Sequence, residues 1–335
     1  MKGKYHFRVR SKRALFDFSV RRNITILKGD SATGKTTLLH MLYEYLRVGR
    51  ESGYTVSTDA SYFVYLRKEV GRDWKDTLFS LRNTVIFIEE NNDFVFGKDF
   101  ADFVKKSGNY FVLVNRAPLR MLPYSIHEVY EIITAGKRAD IRESYHEFRE
   151  LYSNYPVIKH NKIRNVITED SCSGNQFFGA VFETADVISA EGNGNIVSMI
   201  KSLEKGDTLV IADGAAFGAM IEDCLAYLDA RLDLRISVWL PESFEYLILK
   251  SGLIKAPELA EILEEPANYI DSAQYESWEQ FFTALLISMT SGTAGRYSKE
   301  VLNRYYLQDK NVQKIMLQFP DVIDIPEKYH PERTT

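Results

Sequence analysis

The sequence predicts an α/β protein of two domains with a helical C-terminal region, on three observations. Its 335 residues, 45% of them hydrophobic, are enough for two cores at roughly 100 to 200 residues per domain. Short apolar runs of strand length alternate with segments whose apolar residues recur at helical spacing. One such strand runs into one such helix through the turn Gly29-Asp30-Ser31-Ala32-Thr33-Gly34-Lys35-Thr36. With 26% charged residues, 9 Pro, 19 Gly and no fixed repeat, the chain is not disordered, collagen-like or a solenoid.

Residues 1–145 are read as the first domain. Phe7, Val9, Leu15, Phe16 and Phe18, then Ile24, Ile26 and Leu27, alternate in a manner that suits strands. After Lys35, the residues Leu38, Leu39, Leu42, Tyr45 and Leu46 mark a helix that Gly49 and Gly53 end. Apolar runs over 84–88 and 110–114, with a helix over 99–106 between them, read as strands of a parallel sheet buried on both faces. Polar residues 146–163, with Pro156, read as a linker. Residues 164–252 then repeat strand and helix four times. The strands are placed at 166–168, 187–189, 208–212 and 235–240, and the helices at 176–183, 196–203, 217–229 and 243–250. That alternation implies a small, parallel or mostly parallel sheet. Residues 253–335 read as helical, with Pro320, Pro326 and Pro331 marking a loose end.

The Gly29–Thr36 turn matches G-x-x-x-x-G-K-[ST] in full, in the strand-to-helix context that the pattern requires. Its glycines let backbone N–H groups of Gly29, Asp30, Ser31, Ala32, Thr33 and Gly34 curl around phosphate at the positive end of the helix. Lys35 supplies charge to the outer phosphates, Thr36 offers a hydroxyl to Mg²⁺, and Thr37 completes the set. The expected cofactors are a nucleoside triphosphate, ATP or GTP, and Mg²⁺. Val85-Ile86-Phe87-Ile88-Glu89-Glu90 ends a neighbouring strand in two acids, Glu89 for metal contact and Glu90 to orient water. Asn115 and Arg116 follow the next strand, a position where P-loop ATPases, which this order resembles, often keep a polar group that senses the terminal phosphate.

In the second domain, strands end at Glu169-Asp170 and at Asp213-Gly214-Ala215, with the Gly/Asn-rich turn 191–195 between them. Strand C-termini gather on one edge of a parallel sheet, so Glu169, Asp170 and Asp213 are expected to converge there on a divalent ion. The competing reading is that these acids are helix caps.

The formal charge of −4 means that nucleic-acid binding needs a local basic patch. Two stretches offer one. The first holds Lys2, Lys4, Arg8, Arg10, Lys12, Arg13, Arg21 and Arg22 against the single acid Asp17. The second interleaves Arg296, Lys299, Arg304, Lys310 and Lys314 with Tyr297, Tyr305 and Tyr306. The two cysteines, Cys172 and Cys224, are too few for a disulfide framework, and no apolar segment approaches a membrane span. A cytoplasmic protein without membrane attachment is expected.

The order of strand, phosphate loop, acidic strand and polar-ended strand resembles P-loop ATPases of the ABC and AAA type over roughly residues 1–140. The resemblance implies a reduced version. No Leu-Ser-Gly-Gly-Gln signature occurs, and the short interval from Lys35 to Glu89 leaves no room for a long helical arm. Residues 163–250 resemble a Toprim domain, in particular the one that follows an ATPase in OLD-type (overcoming lysogenization defect) proteins. The resemblance implies acid/base or metal roles for Glu169 and metal binding by Asp213. Ala215 stands where the family carries a second Asp, with Asp170, Glu222 or Asp223 as substitutes. The implied function is an ATP-dependent or ATP-regulated nucleic-acid-processing protein of the phage-defence nuclease kind, acting on DNA or RNA. A homo-oligomer or a protein partner is compatible with it. The alternatives are a nucleotide-gated scaffold whose second domain is inactive, which Ala215 favours, and a small-molecule kinase.

Overall fold

The computed structural model describes residues 1–29, 33–66, 73–137, 144–152, 163–203, 207–231, 233–323 and 325–329. The chain forms two units: Met1–Ser153 with Glu265–Ser277, and Asn154–Glu264 with Trp278–Thr335.

The first unit carries, in order, β1 (Tyr5–Arg10), β2 (Ala14–Val20), β3 (Ile24–Lys28), α1 (Lys35–Val48), β4 (Thr55–Ser57), β5 (Ser61–Tyr65), α2 (Trp74–Leu78), β6 (Thr84–Ile88), α3 (Lys98–Lys106), β7 (Tyr110–Val114), β8 (Val129–Lys137) and β9 (Ser144–Glu150). Nine strands form one sheet in the order β4-β1-β2-β9-β8-β3-β7-β6-β5. From β8 to β5 every neighbouring pair is parallel, and β3, β6 and β7 are buried at every residue, as continuous apolar strands require.

The wholly parallel sheet expected from the sequence is corrected to a mixed one, because β1–β2, β1–β4 and β8–β9 pair antiparallel. The reason is local for the first pair. The Ser11 hydroxyl accepts the N–H groups of Arg13 and Ala14 at 3.2 and 3.0 Å, closing a turn too short for a parallel crossover. The interval read as a linker begins inside β9, whose Phe148 stacks on Phe18 at 4.2 Å. Most of that interval lies outside the described residues.

The C-terminal region is not one helical body. Its segment 265–277 is held to the first unit by the Gly3 N–H on the Ala267 carbonyl at 2.6 Å, the Ser272 N–H on the Met1 carbonyl at 2.8 Å, and the Asn23 amide on the Tyr275 carbonyl at 2.9 Å.

The second unit carries β10 (Asn165–Thr168), α4 (Ser173–Val181), β11 (Asp186–Ser189), α5 (Asn193–Ser202), β12 (Thr208–Ile211), α6 (Ile221–Ala230), β13 (Ile236–Trp239), α7 (Phe244–Lys250), α8 (Pro257–Glu264), α9 (Trp278–Thr290) and α10 (Asp309–Met316). The four strands are all parallel, in the order β11-β10-β12-β13. The α/β alternation read from the sequence is present here. Helix α6 begins four residues later than the spacing predicts, because turns occupy the chain first: the Ala216 N–H bonds the Asp213 carbonyl and that of Met220 bonds Phe217. The end expected to be loose is packed, with Ile323 and Tyr329 both buried among the described residues. Phe319 lies 4.0 Å from Trp239, ring to ring, and 5.9 Å from Phe178.

Candidate functional site

Two sites lie at the carboxyl edges of the two parallel arrays, where strand topology leaves crevices for ligands.

In the first unit, Gly29 follows β3 and Gly34 precedes α1, both with left-handed backbone at φ 110° and 103°. A β-carbon on Gly34 would sit 3.2 and 3.3 Å from two ring atoms of Phe16, so both backbone and space demand glycine there. Gly34→Ala is expected to cost about 1–3 kcal/mol of stability and to lose most of the Mg-ATP-induced rise in Tm, measured by thermal denaturation with and without nucleotide. Lys35 is buried, and its Nζ donates to the Gly29 carbonyl at 2.6 Å and to Thr33 Oγ1 at 3.0 Å. Thr36 and Thr37 are exposed on the first turn of α1. Asp30, Ser31 and Ala32 lie outside the described residues.

Strand β7 separates β3 from β6, and the Asn115 N–H donates to the Leu27 carbonyl at 3.3 Å, pinning Asn115 beside the strand that feeds the loop. Glu89 and Glu90 follow β6 on the same edge. The Glu89 N–H bonds the Tyr65 carbonyl at 3.0 Å, its own carbonyl accepts the Asn92 amide at 2.7 Å, and Glu90 pairs with Arg116 at 2.9 Å. The ion pair joins the ends of the acidic and polar-ended strands, two features the sequence singled out separately. The Thr36 hydroxyl and the Glu89 carboxylate are hard oxygen donors, the type that Mg²⁺ takes beside phosphate and water.

In the second unit, the strand order turns outward on either side of β10 and β12, and Glu169 and Asp213 follow those strands by one and two residues. They do meet: the Asp213 N–H donates to Glu169 Oε2 at 3.1 Å. The cleft they line has a volume of about 440 Å³ including its open mouth, with Asp170, Ser173, Glu245 and Lys299 also on its wall. Gly214 is needed for close approach. Its N–H bonds the Pro241 carbonyl at 2.6 Å, and a β-carbon would lie 2.7 Å from the Leu240 carbonyl oxygen.

Burial, together with Glu279 and Asp170, raises the Glu169 carboxyl to about 7, partly offset by the Asp213 N–H. Burial raises Asp213 well above its ordinary range, with Glu279, Glu169 and Glu245 adding to the effect. Glu245 is raised by burial too, although Tyr297 donates to it at 2.7 Å. Burial would lower the Lys299 ammonium, but its bond to Glu279 and the fields of Glu245 and Asp213 raise it instead.

Asp170 is a turn residue, its carboxylate accepting the Cys172 N–H at 3.0 Å. Glu222 and Asp223 lie in the first turn of α6 and do not line the cleft. Among the described residues, no three His, Cys, Asp or Glu side chains converge to hold a metal ion. The expected convergence of Glu169, Asp170 and Asp213 on Mg²⁺ therefore does not fit the arrangement: Glu245 is committed to Tyr297, Glu279 to Lys299, and the lysine already supplies a positive charge.

Sequence reasoning missed Glu245 and Lys299 as cleft residues, and with them their partners Tyr297 and Glu279. Glu245 had a legible signal, an acid in the first turn of the helix that follows β13, whereas Glu279 and Lys299 come from distant segments with no local mark. Lys299 is placed by hydrogen bonds at its own carbonyl and just after it. Its carbonyl accepts the Ser173 N–H at 2.8 Å, and Gln176 bonds the Glu300 carbonyl and the Leu302 N–H at 2.8 and 2.9 Å. The second basic stretch is not a stacking platform, because Tyr297 and Tyr306 are fully buried.

Among the described residues, no helix is long and apolar enough to cross a membrane. Compared with protein-family models, curated proteins and solved structures, the chain matches none of them.

Proposed function

We propose that the chain is an ATP-binding protein whose nucleotide state regulates its action on nucleic acid, with ATP and Mg²⁺ held in the first unit. The observation that carries the reading is the complete G-x-x-x-x-G-K-T turn between β3 and α1, with Gly29 and Gly34 left-handed and an acidic strand two places away, beyond β7, on the same edge. Lys35 would contact the outer phosphates, and Thr36 and Glu89 would hold the metal. Bound Mg²⁺ would neutralise phosphate charge. Glu90, oriented by Arg116, would position the attacking water. Steady-state ATP hydrolysis tests this. Glu90→Gln is expected to keep nucleotide affinity and to lower turnover by about 100-fold or more, and unchanged turnover would remove Glu90 from the reaction.

The second unit supports a second reading, a nucleotide-gated binding or scaffold module with Toprim-like topology and no cleavage. Three features favour it: Ala215 in place of an acid, Lys299 among the carboxylates, and the absence of a three-acid metal group among the described residues. Two-metal phosphodiester cleavage needs several converging carboxylates. Incubating plasmid DNA, single-stranded DNA and transfer RNA with Mg²⁺ or Mn²⁺, with and without ATP, separates the readings. Cleavage lost in Asp213→Ala would establish a nuclease, and no cleavage alongside intact nucleotide binding supports the scaffold.

A further inference from the structure

The first thirteen residues hold Lys2, Lys4, Arg8, Arg10, Lys12 and Arg13 and no acid, in a chain whose net charge is −4. The fold gives this excess one direction. Along β1 the residues Phe7 and Val9 are fully buried, while His6, Arg8 and Arg10 are exposed, and Lys12 and Arg13 continue the exposed set through the turn into β2. On the flanking strand β4, Ser57 lies opposite Arg8 and Thr55 opposite Arg10, both exposed hydroxyls. On the other side Asp17 lies opposite Arg8, where His6 meets it at 2.6 Å and Arg8 at 4.0 Å. One side of this part of the sheet is core, and the other is a strip of guanidinium, ammonium and hydroxyl groups, bordered on β2 by the Asp17 carboxylate with the His6 ring against it.

We propose that this strip, formed by β4, β1 and the β1–β2 turn, is a docking surface for the sugar–phosphate backbone of duplex nucleic acid. It rests on the reading of the chain as a protein that acts on nucleic acid, and names the surface by which it does so. Arg8 and Arg10 are two residues apart on a strand, about 6.8 Å along it, which sets two guanidinium groups at a separation suited to successive phosphates. Thr55 and Ser57 add phosphate-directed hydroxyls of the kind that fix a protein on a backbone without reading sequence. The outward positions of β1 and β4 carry no Phe, Tyr, Trp or aliphatic side chain, so the strip lacks both the stacking platform a single strand uses and the apolar anchor a bilayer surface rewards.

Fluorescence anisotropy of the full chain with a short DNA duplex, the matching single strand, and phosphatidylserine vesicles tests the assignment. Four phosphate contacts by Arg8, Arg10, Lys12 and Arg13 give a log–log salt slope of about −3.6, or roughly a 150-fold loss of duplex affinity between about 50 and 200 mM salt. Arg8→Gln with Arg10→Gln is expected to weaken duplex binding at least tenfold at low salt and to make the slope shallower by about 2, with ATP affinity at the parent value. Arg8→Lys with Arg10→Lys restores most of the binding, and Lys310→Gln with Lys314→Gln leaves it unchanged. Duplex binding untouched by the glutamine pair overturns the surface but leaves the nucleic-acid reading standing. A parent that binds no duplex overturns both, and tighter binding of the single strand or the vesicles overturns the duplex assignment.

Discussion

Lys35→Met is expected to lower affinity for Mg-ATP by about 100-fold or more, equivalent to about 2.7 kcal/mol, as measured by isothermal titration calorimetry. The size follows from what the ammonium does. It is the one basic side chain within the turn's pattern and on the proposed reading would contact the outer phosphates, and charge-assisted bonds to phosphate are about twice as strong as neutral ones. In the structure its Nζ lies on the Gly29 carbonyl and the Thr33 hydroxyl, at the mouth of the loop that would receive those phosphates. Methionine keeps most of the aliphatic stem, and Leu38, Leu39 and Leu42 still bury α1 against the sheet, so the fold is expected to persist. Parental affinity in the variant would withdraw nucleotide binding from this loop. Loss of affinity with an unchanged circular dichroism spectrum would place it there.

The strand and helix on either side of the Gly29–Thr36 turn were legible because their marks are local: two glycines, a lysine and a threonine at fixed spacing, flanked by an apolar run and a helical repeat. The four strands of the second unit were legible for a similar reason, since each apolar run is bounded by turn residues and followed by a helix. Antiparallel pairing of β1, β2 and β4 was not. It depends on a turn closed by the Ser11 hydroxyl and on pairing between residues some fifty positions apart, such as Arg8 and Ser57. The same non-locality hid the segment 265–277, which reads as part of a helical region and yet bonds to Met1, Gly3 and Asn23. In the second cleft, Glu169 and Asp213 were visible as acids at strand ends. Lys299, the residue that changes what those acids can do, is brought to them by a backbone bond from Ser173 that no spacing rule encodes.

That lysine sets the second large expectation. Lys299→Met is expected to leave the second unit near parental stability at about pH 5 and to cost about 2–3 kcal/mol at about pH 8, read by urea denaturation at the two values. The magnitude is reduced from that of a fully buried pair because the Lys299 side chain is 36% exposed. The sign follows from the carboxylates. Glu169 titrates at about 7 in the fold against an ordinary 4.5, and Asp213 and Glu245 are raised as well, so the folded state holds more protons than the unfolded chain across this window. Stability of the parent therefore falls as pH rises from about 4.5 through about 7, and Lys299 limits the fall by supplying the opposing charge. Without it the folded carboxyls move higher still, and the loss deepens and extends to more alkaline pH. Adding Glu279→Gln removes one of the charges that Lys299 meets, and the double variant is expected to recover part of the pH 8 deficit while changing little at pH 5. A deficit equal at both pH values would instead assign Lys299 to packing. The cleft would then be free to use a divalent ion where this structure places an ammonium group.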